Sequence, residues 1–406
     1  MTLKIIVLVL AVLGSGYSIL LNHFRYRSAN NPTPPNVSDV YDAATYQTWK
    51  AYSAAHCRLE YASEAVKLVI NLVLLACNVY AAFFALFPAS MGFFPVVLLE
   101  TLVSFAVESV ESYISTMVIE EKYGFNRSTK KTFVADRIRT LLLGLVLSCF
   151  LAGLLTVLHR GLGNWMILLF AGAIFLFTLL VSFLYPVFSR MGNKFVPLEE
   201  GELKDRLMEL LTKHGYRVKA IEVMDASRRT TKLNAYFTGF GKMKTIVLFD
   251  NLVNAMSTDE ICAVFAHELG HGLHKDVLKQ QILNLGNLLL MAVVAWLAVL
   301  EPAVYVAFGF AEVNYGFATI LMGVGLGVIQ PLSSMVTNAY SRMAEYRADR
   351  QTVQEGYGRA MISALKTLAK ENFAHLAPSP VNVVLEYSHP PLSQRIEAVE
   401  RQLEEL

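Results

Sequence analysis

The segment His267-Glu268-Leu269-Gly270-His271 carries the clearest chemistry in this chain. On a helix, a spacing of i, i+4 sets both imidazoles on one face, within reach of a single ion. Glu268 sits beside the first of them and can take a proton from a water that the ion activates. Ser257-Thr258-Asp259-Glu260 supplies the helix start, as an S-x-x-E capping box ahead of an apolar helical run. A catalytic zinc takes three protein ligands and keeps one position open. His274 lies a turn too far along to close the same sphere, and Val277 stands where an extended motif would place a third histidine. The third ligand must come from elsewhere. Asn338, Arg342, Glu345 and Asp349 follow one another at helical spacing and share a polar face. Glu345 is the candidate carboxylate ligand. Asp349, one turn on, can accept the free ring N–H of a liganding histidine and hold its tautomer. The competing reading of that face is a solvated, charged surface. His389, stiffened by Pro390 and Pro391, is either a donor to the oxyanion of a tetrahedral intermediate or a surface histidine.

The elements that must position these residues are unusually apolar. Of 406 residues, 54% are hydrophobic and 17% charged, and the mean hydropathy is +0.44. Soluble domains carry about 25% charged residues, so an ordinary soluble enzyme and a disordered chain are both excluded. The net charge of +2 argues against a nucleic-acid partner. Cys57, Cys77, Cys149 and Cys262 are widely spaced and read as free thiols, not as a disulfide scaffold or a cysteine metal site.

Seven runs are long enough to span a bilayer: Leu3–Leu21, Leu68–Phe87, Pro95–Ile119, Leu141–Leu158, Trp165–Phe188, Leu285–Phe310 and Tyr315–Val336. The first reads as an uncleaved anchor, because no small-x-small site follows it. Lysine and arginine cluster after runs one and three and are nearly absent after runs two, four and six. That alternation places the N-terminus outside and the long insert, with the tail, in the cytoplasm. Within run three, Glu100, Ser104, Glu108, Glu111 and Ser115 share one helical face. Carboxylates at membrane depth normally face a wet interior, so a water-filled internal space is expected, against packing on polar neighbours or a place near the interface. In the insert, Val218–Met224 and Thr245–Phe249 read as strands, with Lys232–Phe240 and a Gly239–Gly241 turn forming a hairpin onto the second. The stretch from Asn30 to Pro35 is a proline-rich loop. The expected organisation is residues 1–190 as five membrane helices with their loops and residues 191–281 as a cytoplasmic metalloprotease insert. Residues 282–337 supply two further spans, and residues 338–406 a tail that completes the metal site.

Together these residues resemble the M48 metallopeptidases and, within them, the Ste24-type CaaX prenyl proteases. The resemblance is carried by Ile119-Glu120-Glu121-Lys122-Tyr123-Gly124-Phe125-Asn126, by Pro197-Leu198-Glu199-Glu200-Gly201 and by Asn234-Ala235-Tyr236. Ile246-Val247-Leu248-Phe249-Asp250, the His267–His271 motif, Ser341–Glu345 with Asp349, and Ser388-His389-Pro390-Pro391 extend it. It implies His267, His271 and Glu345 as ligands of one zinc ion, Glu268 as general base, Asp349 behind the ligands and His389 as a transition-state donor. It further implies Asn234, Ala235 and Tyr236 on an edge strand that pairs with the substrate backbone, and Arg342 orienting carboxylates or binding substrate. The fold it implies is mainly α, with seven transmembrane helices around an intramembrane chamber and a gluzincin-like cytoplasmic α+β domain. The partners it implies are a peptide or protein substrate, prenylated in this family, and the lipid bilayer. The chain is shorter than eukaryotic members and shows no ER-retrieval tail, so a bacterial inner-membrane homologue is expected, or the ER membrane if the source is eukaryotic. Two other functions stand beside this one. One is an HtpX-like quality-control protease with the same zinc site. The other is a non-catalytic membrane protein, for translocon clearance or transport, with zinc as a structural clip.

Overall fold

A computed structural model describes residues 1–190, 193–238 and 243–405. The membrane half begins with α1 (Thr2–Ser28), α2 (Ala43–Ala76), α3 (Val79–Phe84), α4 (Phe94–Tyr113), α5 (Lys130–Leu162) and α6 (Met166–Ser189). Strand β1 (Phe195–Pro197), α7 (Glu202–Lys213), β2 (Arg217–Met224), β3 (Ala235–Thr238) and β4 (Met243–Phe249) follow. Then come α8 (Asp250–Ala255), α9 (Thr258–Leu273), α10 (Asp276–Leu300), α11 (Pro302–Ala307) and α12 (Tyr315–Gln354). The tail holds α13 (Gly358–Glu371), α14 (Pro380–Leu385) and α15 (Leu392–Glu404).

All seven apolar runs lie on helices, but two of them do not form single rods. The second breaks between α2 and α3, where Asn78 takes a left-handed conformation that asparagine tolerates better than most residues. Lys4 holds this break open by donating to Ala76 O and Asn78 Oδ1, each at 2.7 Å. The sixth breaks at Glu301-Pro302, where the Glu301 carboxylate accepts from the Ala303 N–H and proline starts α11. Four described helical stretches meet length and composition criteria for crossing a membrane: Thr2–Ser28, Lys130–Val181, Asp276–Leu300 and Tyr315–Gln354. Their outer faces bare aliphatic side chains, among them Val146 at 64% and Val157 at 70% exposure. Water would not tolerate so much contiguous apolar surface, and lipid does. Inside, Phe317 collects Tyr80, Tyr305, Phe308 and Phe310 at ring distances of 5.0–6.0 Å, which locks the ends of α3, α11 and α12 together.

Run three is α4 continued by a π-helical turn over Ile114–Glu120. Its polar face turns inward as its spacing predicts. Glu100 accepts from Tyr80 and Ser104, and Glu111 pairs with Lys67 at 2.8 Å. Glu108 is more open and lies 3.8 Å from Arg137. Three adjoining cavities of about 690, 460 and 200 Å³ border this helix, the first two of them also bordering α1.

The strands form one sheet in the order β1-β2-β4-β3, with β2 and β4 parallel and the other pairs antiparallel. Strands β2 and β4 and the β3–β4 hairpin lie where the sequence pattern predicts them; the 239–241 turn lies outside the described residues. Strand β1 has no such signal, because three residues carry no alternation. Leu207, Leu211, Ile246, Leu252, Cys262 and Phe265 form the core between sheet, α7 and α9. The four cysteines are free thiols.

The proline-rich loop after α1 packs against the tail. Trp49 donates to Phe373 O and stacks edge-on with His375 at 4.8 Å. His375 Nδ1 accepts from the Ala377 N–H, which leaves Nε2–H to donate to Ser28 Oγ at 2.8 Å. Burial, with Arg25 adding, pushes the His375 pKa down to about 4. Between that value and the unfolded value of about 6.5, the folded chain binds fewer protons than the unfolded one. Stability therefore falls as the pH drops through this window, by up to roughly 3 kcal/mol. Tryptophan-fluorescence melts in detergent from pH 7.5 to pH 5 are expected to show the decline, and His375→Gln is expected to flatten it.

Candidate metal centre

The N-terminus of α9 is fixed by both halves of the capping box. The Ser257 side chain accepts from Glu260 N–H, and the Glu260 carboxylate accepts from Ser257 N–H at 2.8 Å. The helix then runs beneath the sheet and presents His267 and His271 one turn apart. Helix α12 crosses it closely, and Gly270 is the reason. A Cβ at position 270 would lie 3.0 Å from Ala348 Cα, tighter than ordinary contact, so glycine lets the backbones approach this far without displacing a neighbour. The approach brings Glu345 between the two imidazoles. His267 Nε2 lies 3.4 Å from Glu345 Oε2, and His271 Nε2 lies 3.3 Å from Glu345 Oε1. The two Nε2 atoms are 3.3 Å apart. One atom from each of the three side chains falls within 4.8 Å of the others, a spread that one ion can occupy.

The remaining atoms support this. Glu345 Oε2 is buried without a well-aligned hydrogen bond, although His389 Nδ1 approaches to 2.9 Å. A buried, unmet carboxylate oxygen beside two imidazole nitrogens is a donor set suited to a divalent metal. The far side of each histidine is held. His267 Nδ1 meets Asp349 at 2.9 Å, and His271 Nδ1 meets Asp276 at 3.1 Å. Asp276 also accepts from Tyr340 and Arg347. Arg395 grips Asp349 with two donors, at 2.7 and 2.9 Å, and reaches Glu345 at 3.2 Å. Burial opposes charge throughout, and the paired groups overcome it. The carboxylates raise His267 to about 9, while the histidines hold Glu345 far below the ordinary carboxylate range. Burial likewise opposes the Asp349 carboxylate, but Arg395 and His267 bring it down to about 2.

Glu268 makes no hydrogen bond or ion pair among the described residues. It lines a cavity of about 420 Å³ with Ala235, Tyr236, His271 and Tyr340. That cavity lies between the motif and β3, an edge strand of the sheet. Asn234 is exposed, and its carbonyl accepts from Phe249 N–H. The segment entering β3 is tied down from several sides. Asn126 bridges Thr230, and Lys232 meets Glu120 at 3.2 Å. Asn251 and Asn372 bond the backbone of residues 230–233. The Ile119–Asn126 segment thus anchors the edge strand to the membrane helices.

Two polar residues of α12 lie elsewhere than expected. Among the described residues Arg342 meets no carboxylate; it donates to Val383 O at 2.9 Å and Tyr387 O at 2.7 Å, and so braces the strap that carries His389. Asn338 donates to Leu385 O and lines the membrane-side cavity, two turns from the metal cluster. Conversely, the structure adds Asp276 and Arg395 to the residues around the site. Asp276 had a local signal, five residues beyond His271 at the next helix start. Arg395 had none.

Asp276→Asn is expected to lower metal affinity by roughly 10- to 100-fold, because the His271 ring loses its anionic partner. Metal competition with a fluorescent chelator measures this directly.

Residues 197–403 match peptidase family M48, and residues 22–190 match the CAAX prenyl protease N-terminal family of five membrane helices. The probable CAAX prenyl protease 1 of Schizosaccharomyces pombe is 32% identical over 302 residues, covering 74% of this chain and 64% of that one. CAAX prenyl protease 1 of Saccharomyces cerevisiae is 30% identical over 431 residues, covering 95% of this chain and 94% of that one. The crystal structure of S. mikatae Ste24p superposes with a TM-score of 0.90 at 27% identity, covering 98% of this chain and 99% of that one. With its paired histidines and glutamate meeting beneath an open edge strand, the chain belongs to peptidase family M48, as an integral membrane metalloprotease of the CAAX prenyl protease type.

Proposed function

We propose that the chain is a zinc endopeptidase that cleaves the C-terminus of prenylated CaaX proteins, with zinc held by His267, His271 and Glu345. The convergence of these three side chains beside an unpaired Glu268 carries the reading. Zinc, when bound, supplies a Lewis acid that acidifies water and polarises the scissile carbonyl. The substrate backbone pairs with the open edge at Asn234, Ala235 and Tyr236, which aligns the peptide across the 420 Å³ cavity. Glu268 takes the proton of the attacking water and returns it to the leaving amine. His389 is 65% exposed, at the end of the strap braced by Arg342, and donates to the oxyanion. Asp349, Asp276 and Arg395 hold the ligands in register. The lysine and arginine distribution supports a cytoplasmic protease face, with seven spans and the N-terminus outside.

The test uses full-length protein in detergent or proteoliposomes. One zinc per chain is expected, with cleavage of a farnesylated CaaX peptide that a chelator abolishes and zinc restores. Equal cleavage of the unprenylated peptide would favour a general membrane quality-control protease. Stoichiometric zinc with no cleavage of any peptide would refute the enzymatic reading.

A further inference from the structure

The cavity of about 690 Å³ lies on the membrane side of the metal cluster. Asn338 lines it and precedes Glu345 by seven residues, hence on the same face of α12 and about 10 Å along its axis. Glu386 lines it too, three residues before His389. The walls are anionic: Glu60, Glu64, Glu111 and Glu386 all face this space. Arg25 is the cation of the lining and is already committed, to Glu60 at 2.6 Å and to Glu386 at 3.1 Å. Lys67, which lines the adjoining 200 Å³ cavity, pairs with Glu111 at 2.8 Å and Glu64 at 3.4 Å. Four carboxylates therefore share two cations.

Two observations independent of these charges point to a ligand. Asn22 lines the cavity and is only 3% exposed. Its amide nitrogen donates to Cys57 O at 2.8 Å, but its Oδ1 is buried without a partner. A buried acceptor left unmet is costly and is normally matched by a donor. Pro331, inside α12, has no N–H to offer the carbonyl of Gly327, and both residues line the same cavity. The space is thus rich in acceptors, its four carboxylates above all. The charge balance agrees: burial raises the Glu60 carboxyl, Arg25 and His56 offset only part of this, and Glu386 and Glu111 add to the rise.

We propose that this cavity is a subsite for a basic side chain of the peptide substrate, a lysine ammonium or an arginine guanidinium, and that it sets sequence preference close to the scissile bond. The proposal rests on the peptidase reading above. Both head groups are cationic and carry several donors and no acceptor, which complements carboxylate-rich walls. An extended peptide advances about 3.3 Å per residue, so a span of about 10 Å places the basic residue within about three positions of the cleaved bond.

The test is a prenylated peptide series in which lysine, arginine or norleucine is moved through the positions flanking the scissile bond. At one position within three residues of that bond, kcat/KM is expected to favour lysine or arginine over norleucine by at least about tenfold. In Glu60→Gln/Glu64→Gln the same ratio is expected to fall toward one. Binding of the paired peptides to Glu268→Gln protein, followed by fluorescence anisotropy, reads the preference without turnover. It also needs no change to the cavity, should the double variant fold poorly. A ratio near one at every position in wild-type protein overturns the subsite, and so does a ratio that survives in the folded double variant. A melting-temperature rise with Mg²⁺ or Ca²⁺ and no lysine preference overturns it in favour of a metal site. Absence of cleavage of every peptide by zinc-loaded wild type instead refutes the peptidase reading.

Discussion

Glu268→Gln is expected to retain one zinc per chain and to lose peptide cleavage by roughly 10³-fold or more in kcat. The substitution keeps size and hydrogen bonding and removes only the ability to take a proton. Positioned acid–base groups contribute about 10²- to 10⁴-fold, and here one carboxylate serves both the attack and the departure of the amine. Among the described residues no other carboxylate at the site is free to replace it. Glu345 is engaged by both histidines, Asp349 is buried behind His267 and held by Arg395, and Asp276, which lines the same cavity, is held by His271, Tyr340 and Arg347. Because Glu268 carries no ion pair among the described residues, the fold should be indifferent to the change. Zinc analysis, a thermal melt and a single-turnover assay on the same preparation separate the chemistry from metal loss and misfolding. Turnover near the wild-type rate would exclude Glu268 as the base.

Arg395→Leu is expected to have the largest effect on the scaffold. The Arg395 side chain is 11% exposed, and that of Asp349 is fully buried. Burial opposes the charge on Arg395, but Asp349 and Glu345 raise its pKa, so it stays protonated. Removing it leaves two buried carboxylates facing each other across His267 without their common counter-ion. Breaking a buried pair from one side costs about 3–5 kcal/mol. The His267 ring loses part of its orientation as well, so metal affinity should fall by roughly 10- to 100-fold. The double variant Arg395→Leu/Asp349→Asn should recover part of the stability, because the stranded charge is gone, while metal affinity stays low. Melting temperatures in chelator and in zinc distinguish the two effects. An additive double-mutant cycle would show that Arg395 and Asp349 do not act as a unit.

Much of this site was legible because its signals are local. The spacing of His267 and His271 is a statement about one helix, and the Ser257–Glu260 box says where that helix starts. Glu345 and Asp349 could be read together because α12 is one uninterrupted helix from Tyr315 to Gln354. The inward face of run three was legible for the same reason. The misplacements share a different cause. Arg342 and Asn338 lie on the polar face as expected, yet a face has a length, and one to two turns carry each past the metal to other partners. The breaks at Asn78 and Glu301-Pro302 interrupt runs whose hydropathy is continuous, since hydropathy does not register a left-handed residue or a side-chain cap.

Taken alone, the amino-acid sequence determined the periodicities: which helices are apolar enough for lipid, which faces carry the candidate ligands, where a carboxylate stands beside one of them, and where a helix begins. Backbone geometry imposes these at 3.6 residues per turn, whatever the rest of the chain does. The tertiary structure decided what converges. It brought Glu345 of α12 onto the two histidines of α9 through the contact that Gly270 permits. It placed Arg395, 128 positions beyond His267, behind both carboxylates. It closed α1, α2, α4, α12 and α14 around an anionic cavity below the metal. Those meetings depend on how long helices pack against one another, and no spacing within one segment encodes the distance to another.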